Sequence, residues 1–118
     1  MGSRWYTVVV DATDPARLAR WWAEVLGYQI IDEDSDEVSI APDKTSYPNL
    51  IFLLVPDAKT VKNRLHFDLN PDDQEAEVER LVDMGARKVD VGQGDDVTWV
   101  VLADPEGNEF CILRARPQ

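Results

Sequence analysis

A single histidine, His66, sits in the run Arg64-Leu65-His66-Phe67-Asp68-Leu69. In an extended strand, side chains alternate between two faces. Leu65, Phe67 and Leu69 then point toward an apolar layer under the helices, and Arg64, His66 and Asp68 point together the other way. An imidazole titrates near neutrality, so it can serve as a general base or donate a hydrogen bond to a bound carbonyl. A guanidinium can clamp a carboxylate through two parallel hydrogen bonds. Arg64 can equally pair with Asp68 or Glu109, and an acidic chain favours that pairing. Alternation in the last apolar run sends Phe110 and Ile112 inward and leaves Glu109, Cys111 and Leu113 on the face of His66. Trp99 and Val101 fall on the same face. A reactive cysteine needs a depressed pKa and exposure. Nothing beside Cys111 supplies either, so a small buried cysteine is the plainer reading.

The elements that hold these groups occur twice. Thr7 in Trp5-Tyr6-Thr7-Val8-Val9-Val10-Asp11 corresponds to His66, 59 residues on. Asp14 corresponds to Asp73, and the run from Asn49 to the run from Asn108, at the same shift. Trp5 to Asp11 reads as a strand. Asp14-Pro15 opens a helix, with Leu18, Trp21, Trp22, Val25 and Leu26 on one face and Gly27 at its end. Strands follow at Tyr28–Asp32, Glu37–Ala41 and Asn49–Val55. The acidic run from Ile31 to Glu37 lacks a calcium loop's central glycine and reads as a solvated hairpin. Pro56–Asn63 connects the halves. The second half then gives a strand at Arg64–Leu69, a helix from Asp73 to Gly85 burying Val78, Leu81 and Val82, and strands at Arg87–Val91, Val97–Leu102 and Asn108–Leu113. Gly92–Asp96 and Asp104–Gly107 read as turns. Two βαβββ modules, residues 4–57 and 63–115, make a single domain. By the repeat, Thr7, Val9 and Asp11 share the face of His66, and Phe52 takes the position of Cys111. That face has apolar walls and a few fixed polar groups, the composition of a small-molecule site.

A formal net charge of -11 argues against nucleic acid or an anionic membrane surface as partner. One cysteine excludes an internal disulfide. No apolar run approaches membrane-spanning length, and the first residues carry no signal-peptide pattern. These features lead to the expectation of a soluble, cytoplasmic protein.

Three segments resemble the vicinal oxygen chelate superfamily, in particular its glyoxalase-like domain proteins of the glyoxalase/bleomycin resistance/dioxygenase type. They are Asp14-Pro15-Ala16-Arg17-Leu18-Ala19-Arg20-Trp21-Trp22 with Val25-Leu26-Gly27, Lys62-Asn63-Arg64-Leu65-His66, and Asp104-Pro105-Glu106-Gly107-Asn108-Glu109-Phe110. The resemblance implies an α+β fold, with two βαβββ modules forming one curved mixed β-sheet cup and the helices on its convex side. It also implies a homodimer. Metal-dependent members take ligands from the first and last strand of each half, which here are Thr7, Phe52, His66 and Cys111. Only His66 is a standard ligand there, so the expectation is no metal, unless Asp11, Asp68 or Glu109 completes an unusual set around His66. The favoured expectation is a metal-independent binder of a small, partly apolar organic molecule. Its contacts would be Arg64, His66, Asp68, Trp99, Phe52, Cys111, Thr7, Asp11 and Glu109. The alternative is a metal-dependent lyase, isomerase or dioxygenase, with His66 as the catalytic candidate. A third possibility is a regulatory module whose cup is filled by its own side chains.

Overall fold

The computed structural model describes residues 2–90 and 97–117. The chain divides into two compact units, Met1–Ala58 and Lys59–Gln118. Each holds one helix and one four-stranded mixed sheet, an α+β arrangement.

In the first unit, β1 (Thr7–Ala12) is followed by α1 (Pro15–Leu26), β2 (Gln29–Glu33), β3 (Glu37–Ala41) and β4 (Asn49–Leu54). The sheet order is β1-β4-β3-β2, with β1 parallel to β4 and the other pairs antiparallel. The helix starts where its chemistry predicts. The Asp14 carboxylate accepts from the Arg17 N–H at 3.2 Å, Pro15 fills the first turn, and Gly27 closes the helix at φ 70°. Leu18, Trp21, Trp22 and Val25 are buried, so the two tryptophans are core. The β2–β3 turn is held by Asp34, whose carboxylate accepts from the N–H groups of Asp36 and Glu37. That is the solvated hairpin expected of the acidic run.

The second unit repeats the order with β5 (Phe67–Leu69), α2 (Gln74–Asp83), β6 (Arg87–Lys88), β7 (Val100–Ala103) and β8 (Glu109–Ile112). Its sheet runs β5-β8-β7-β6, again with the first and last strands parallel. Asp73 caps α2 by accepting from the Ala76 N–H at 3.0 Å. Val78 and Leu81 are buried, whereas Val82, expected beside them, is 40% exposed at the edge of the apolar stripe. The turn expected at Gly92–Asp96 lies outside the described residues.

Two expectations about strands are corrected. The strand expected at Arg64–Leu69 forms only from Phe67, and Leu65 is 86% exposed instead of packed. Parallel pairing explains this. Phe67 aligns with Phe110. Continuing that register sets Arg64 and Leu65 beside Gly107 and Asn108, which belong to the Asp104 turn and offer no strand to pair with.

The second correction concerns Phe52. Val8 aligns with Leu50, and Phe67 aligns with Phe110. The paired strands are thus offset by 42 residues in the first module and by 43 in the second, so with the first strands related by 59 residues, as the sequence repeat has them, the last strands are related by 60. Cys111 corresponds to Ile51, and Phe52 corresponds to Ile112. A one-residue slip moves a side chain to the opposite face of a sheet. Phe52 accordingly has 0% exposure and shares the face of Val10 and Val38, its aligned neighbours. It is core, not a wall of the site.

Phe52→Ala should cost about 3–5 kcal/mol by denaturant unfolding, as for other large buried aromatics. Leu65→Ser should change stability by less than about 0.5 kcal/mol. Similar costs for the two would contradict this placement.

Candidate functional site

The polar groups that the structure brings together lie on the parallel pair β5–β8. Asp68 aligns directly with Cys111 across that pair, and Val101 aligns with Cys111 from the other side. Aligned residues of adjacent strands share a face. His66 enters from just before β5, its Nε2 3.2 Å from Asp68 Oδ1. One donor atom from each of His66, Asp68 and Cys111 lies within 4.8 Å of the others. His66 and Asp68 are exposed and Cys111 is buried. Burial first, then the charge and the hydrogen bond of Asp68, push the Cys111 thiol up to about 11. At neutral pH the sulfur is therefore a neutral S–H held by the Asp68 carboxylate, not a nucleophile.

Glu109 begins β8 but serves a different purpose. Its carboxylate takes the Lys59 ammonium at 2.9 Å on one oxygen and the Asn63 N–H at 3.1 Å on the other. Asn63 also donates through its side-chain amide to Asn108 at 2.9 Å. Burial alone would raise the Glu109 carboxyl. The Lys59 ammonium and the Asn63 N–H outweigh it, and the net displacement is downward. Asn108 in turn belongs to a turn organised by buried Asp104, whose carboxylate accepts from the N–H groups of Glu106 and Asn108 and from the Asn108 amide. The Asp104 segment is thus a turn that fixes where β8 begins. Glu109 anchors the chain leading to His66.

The structure therefore unites three of the expected site residues: His66, Asp68 and Cys111. Arg64 is exposed and, among the described residues, makes no ion pair. Its expected partners are engaged elsewhere, Glu109 by Lys59 and Asp68 beside His66. Trp99 precedes β7 and is 40% exposed. Thr7 and Asp11 belong to the first unit, where the Thr7 hydroxyl donates to the Asn49 carbonyl at 3.2 Å and Asp11 is exposed. Lys59 and Asn63 were missed as structural partners because they fall in a segment read only as a connector.

Residues 7–113 match the family model described as the glyoxalase-like domain. The chain belongs to that family. Its glyoxalase-like fold recurs in solved structures of low identity. The trypanothione-dependent glyoxalase I of Leishmania major superposes with a TM-score of 0.71 at 14% identity, covering 96% of this chain and 87% of that one. A glyoxalase/bleomycin resistance protein/dioxygenase family enzyme from Burkholderia phytofirmans gives 0.67 at 20% identity, with coverages of 90% and 94%. The bleomycin-binding protein of Streptomyces verticillus, solved with copper(II)-bleomycin, gives 0.61 at 15% identity, with coverages of 98% and 99%. A search of curated proteins finds no match.

Among glyoxalase-like proteins a divalent metal is common, and the donor set here can be tested against one. The aligned registers put Thr7 and Ile51 in the first module at the positions of His66 and Cys111. Isoleucine has no donor atom, and the threonine hydroxyl is a poor neutral ligand. In the second module Asp68 completes a set of imidazole, carboxylate and sulfur, which suits zinc with an open fourth position. The set fits a metal only if the thiol proton is displaced, which an adjacent dication does readily.

Two predictions follow from these carboxylates. Cys111 should react with iodoacetamide at about pH 8 roughly a hundredfold more slowly than a free cysteine. Asp68→Asn, which removes the charge beside the sulfur, should speed the reaction. An unchanged rate would mean that Asp68 does not control the thiol. The second concerns acid. A carboxyl depressed in the folded state adds stability that is complete above its unfolded value near 4.5 and is lost as pH falls through the lower folded value. Lys59→Ala should cost about 1–3 kcal/mol at neutral pH. Glu109→Gln should flatten the fall in stability between about pH 6 and about pH 3, measured by denaturant unfolding. An acid limb as steep as in the parent protein would remove Glu109 from it.

Proposed function

We propose that this glyoxalase-like protein binds a small, partly apolar organic molecule without needing a metal, and that His66 and Arg64 supply its polar contacts. One observation carries the reading: His66 sits exposed on the Asp68 carboxylate, beside a thiol that burial, and then that carboxylate, keeps protonated. Such a network presents a hydrogen-bonding imidazole at the surface while keeping the sulfur inert. Arg64, exposed two residues away, adds a cation suited to a carboxylate or polar carbonyl. Trp99, 40% exposed, contributes apolar surface. The fold shared with a bleomycin-binding protein supports sequestration of a ligand as the biological role. On this reading the two modules act as one domain in a cytoplasmic homodimer. Among the described residues no helix is long and apolar enough to cross a membrane.

A second reading rests on the three donor atoms within 4.8 Å of one another. A divalent ion on His66, Asp68 and Cys111 would supply Lewis acidity toward a carbonyl, as a lyase or isomerase could use, or, if redox-active, would serve a dioxygenase. The protein's part would be to hold the ion through those three side chains and to leave Arg64 free to orient an anionic substrate.

Elemental mass spectrometry on untagged protein purified without chelator separates the two. The first reading expects little metal, even after incubation with zinc, iron, nickel or manganese. It also expects ligand hits, from a thermal-shift screen that includes bleomycin, to survive chelator and to weaken about tenfold or more in Arg64→Ala and Trp99→Ala. One ion per chain, lost in His66→Ala, would replace it with the second.

A further inference from the structure

Between Ala58 and Phe67 the chain has no acidic residue, although Asp and Glu outnumber Lys and Arg by 23 to 12 overall. Lys59, Lys62, Arg64 and the lone histidine all fall in that stretch. Lys59 is taken by Glu109. Lys62 and Arg64 are exposed and, among the described residues, form no ion pair. The Lys62 ammonium rests on the Asn63 backbone carbonyl at 3.3 Å.

The segment lacks a strand ladder but not a fixed position. The Asn63 N–H donates to Glu109 at 3.1 Å and its side-chain amide to Asn108 at 2.9 Å. Asn108 is itself held by the buried Asp104 carboxylate at 3.0 Å. Lys62 and Arg64 therefore flank a residue tied through both backbone and side chain, and such ordering in advance lowers the entropy lost on binding. Lys62 also acts on the His66 cluster. It pulls the Cys111 thiol down, against the larger upward effects of burial and then of Asp68. Coulombic effects fall with distance, so the ammonium lies near that sulfur, which is within 4.8 Å of a His66 nitrogen. Glu109 is closed off by Lys59, so Asp68 is the carboxylate that opposes an incoming anion, and two permanent cations outnumber it.

The same segment carries the two most exposed large apolar side chains among the described residues, Val61 at 74% and Leu65 at 86%. A single exposed leucine is ordinary. Two apolar side chains interleaved with two cations on a pinned segment, beside an exposed imidazole, match a ligand with an apolar body and a negative head.

We infer that the ligand of this site is a small organic carboxylate with an apolar tail, its head recognised by Lys62 together with Arg64 and its tail lying on Val61 and Leu65. The inference rests on the small-molecule reading above and names the ligand's class. Arg64 supplies a planar fork and Lys62 a point charge, so Lys62 is a specificity residue that tells an anion from its neutral isostere.

The test uses the full chain and three probes: hydrocinnamate, its neutral amide hydrocinnamamide, and acetate, which has the charge without the tail. Backbone NMR titrations should move the signals of Lys62, Arg64 and His66, with hydrocinnamate about tenfold tighter than either of the others. Raising the ionic strength should narrow the gap between acid and amide. Lys62→Met keeps the aliphatic stem and removes the charge. It should erase most of that gap and leave amide affinity unchanged. Lys44→Met makes the same change in net charge in the first unit and should leave the gap intact. Both positions are exposed, so each variant should keep the parent thermal midpoint. Equal binding of acid and amide at His66 would overturn anion selection and leave the small-molecule reading standing. A gap that survives Lys62→Met, or that Lys44→Met removes equally, would overturn the role of Lys62. Signals that stay still with hydrocinnamate but move with neutral hits from the thermal-shift screen would overturn the ligand class alone. Signals that no compound moves would overturn both.

Discussion

Parallel pairing between the first and last strand of each module governs everything else in this molecule. β1 lies on β4 and β5 lies on β8. Each pair joins residues more than forty positions apart and fixes which side chains become neighbours. Asp68 meets Cys111 for that reason alone, and His66 reaches them because β5 begins one residue after it. The same pairing decides where a strand must stop. Once the Asp104 turn has used Gly107 and Asn108, Arg64 and Leu65 have no strand to pair with.

Glu109 and Asp68 are two carboxylates on neighbouring strands with opposite duties. Glu109 is enclosed by a cation and a backbone N–H, and so serves the chain's own course. Asp68 stays exposed beside His66 while acting on a buried sulfur. One ties the approach to the site; the other sets the chemistry within it. This division explains why Arg64, expected to pair with one or the other, extends into solvent instead.

Much of the fold was legible in the sequence because its signals are local. Asp14 with Pro15, Asp73, Gly27 and the Asp104 turn each declare their role within a few residues. The alternation that puts Asp68, Glu109 and Cys111 on one face is likewise local. Two kinds of fact were not legible. The register between distant strands depends on the length of everything between them, and a single extra residue in the second module moved Phe52 from the expected site to the core. Pairings such as Lys59 with Glu109 span fifty residues and leave no pattern in either segment. The family resemblance was visible early because its motifs are helix starts and turns. The ligand chemistry was not, because it rests on long-range pairs.

The distribution of tryptophan has a consequence for how the molecule can be watched. Trp21 and Trp22 are buried edge to face in α1, with ring centroids 5.1 Å apart. The second unit has only Trp99, already partly in water. Intrinsic emission therefore reports mainly on the first half of the chain. Melting of the second half would leave the spectrum nearly still, and a transition that looks complete by fluorescence could describe only one of the two units.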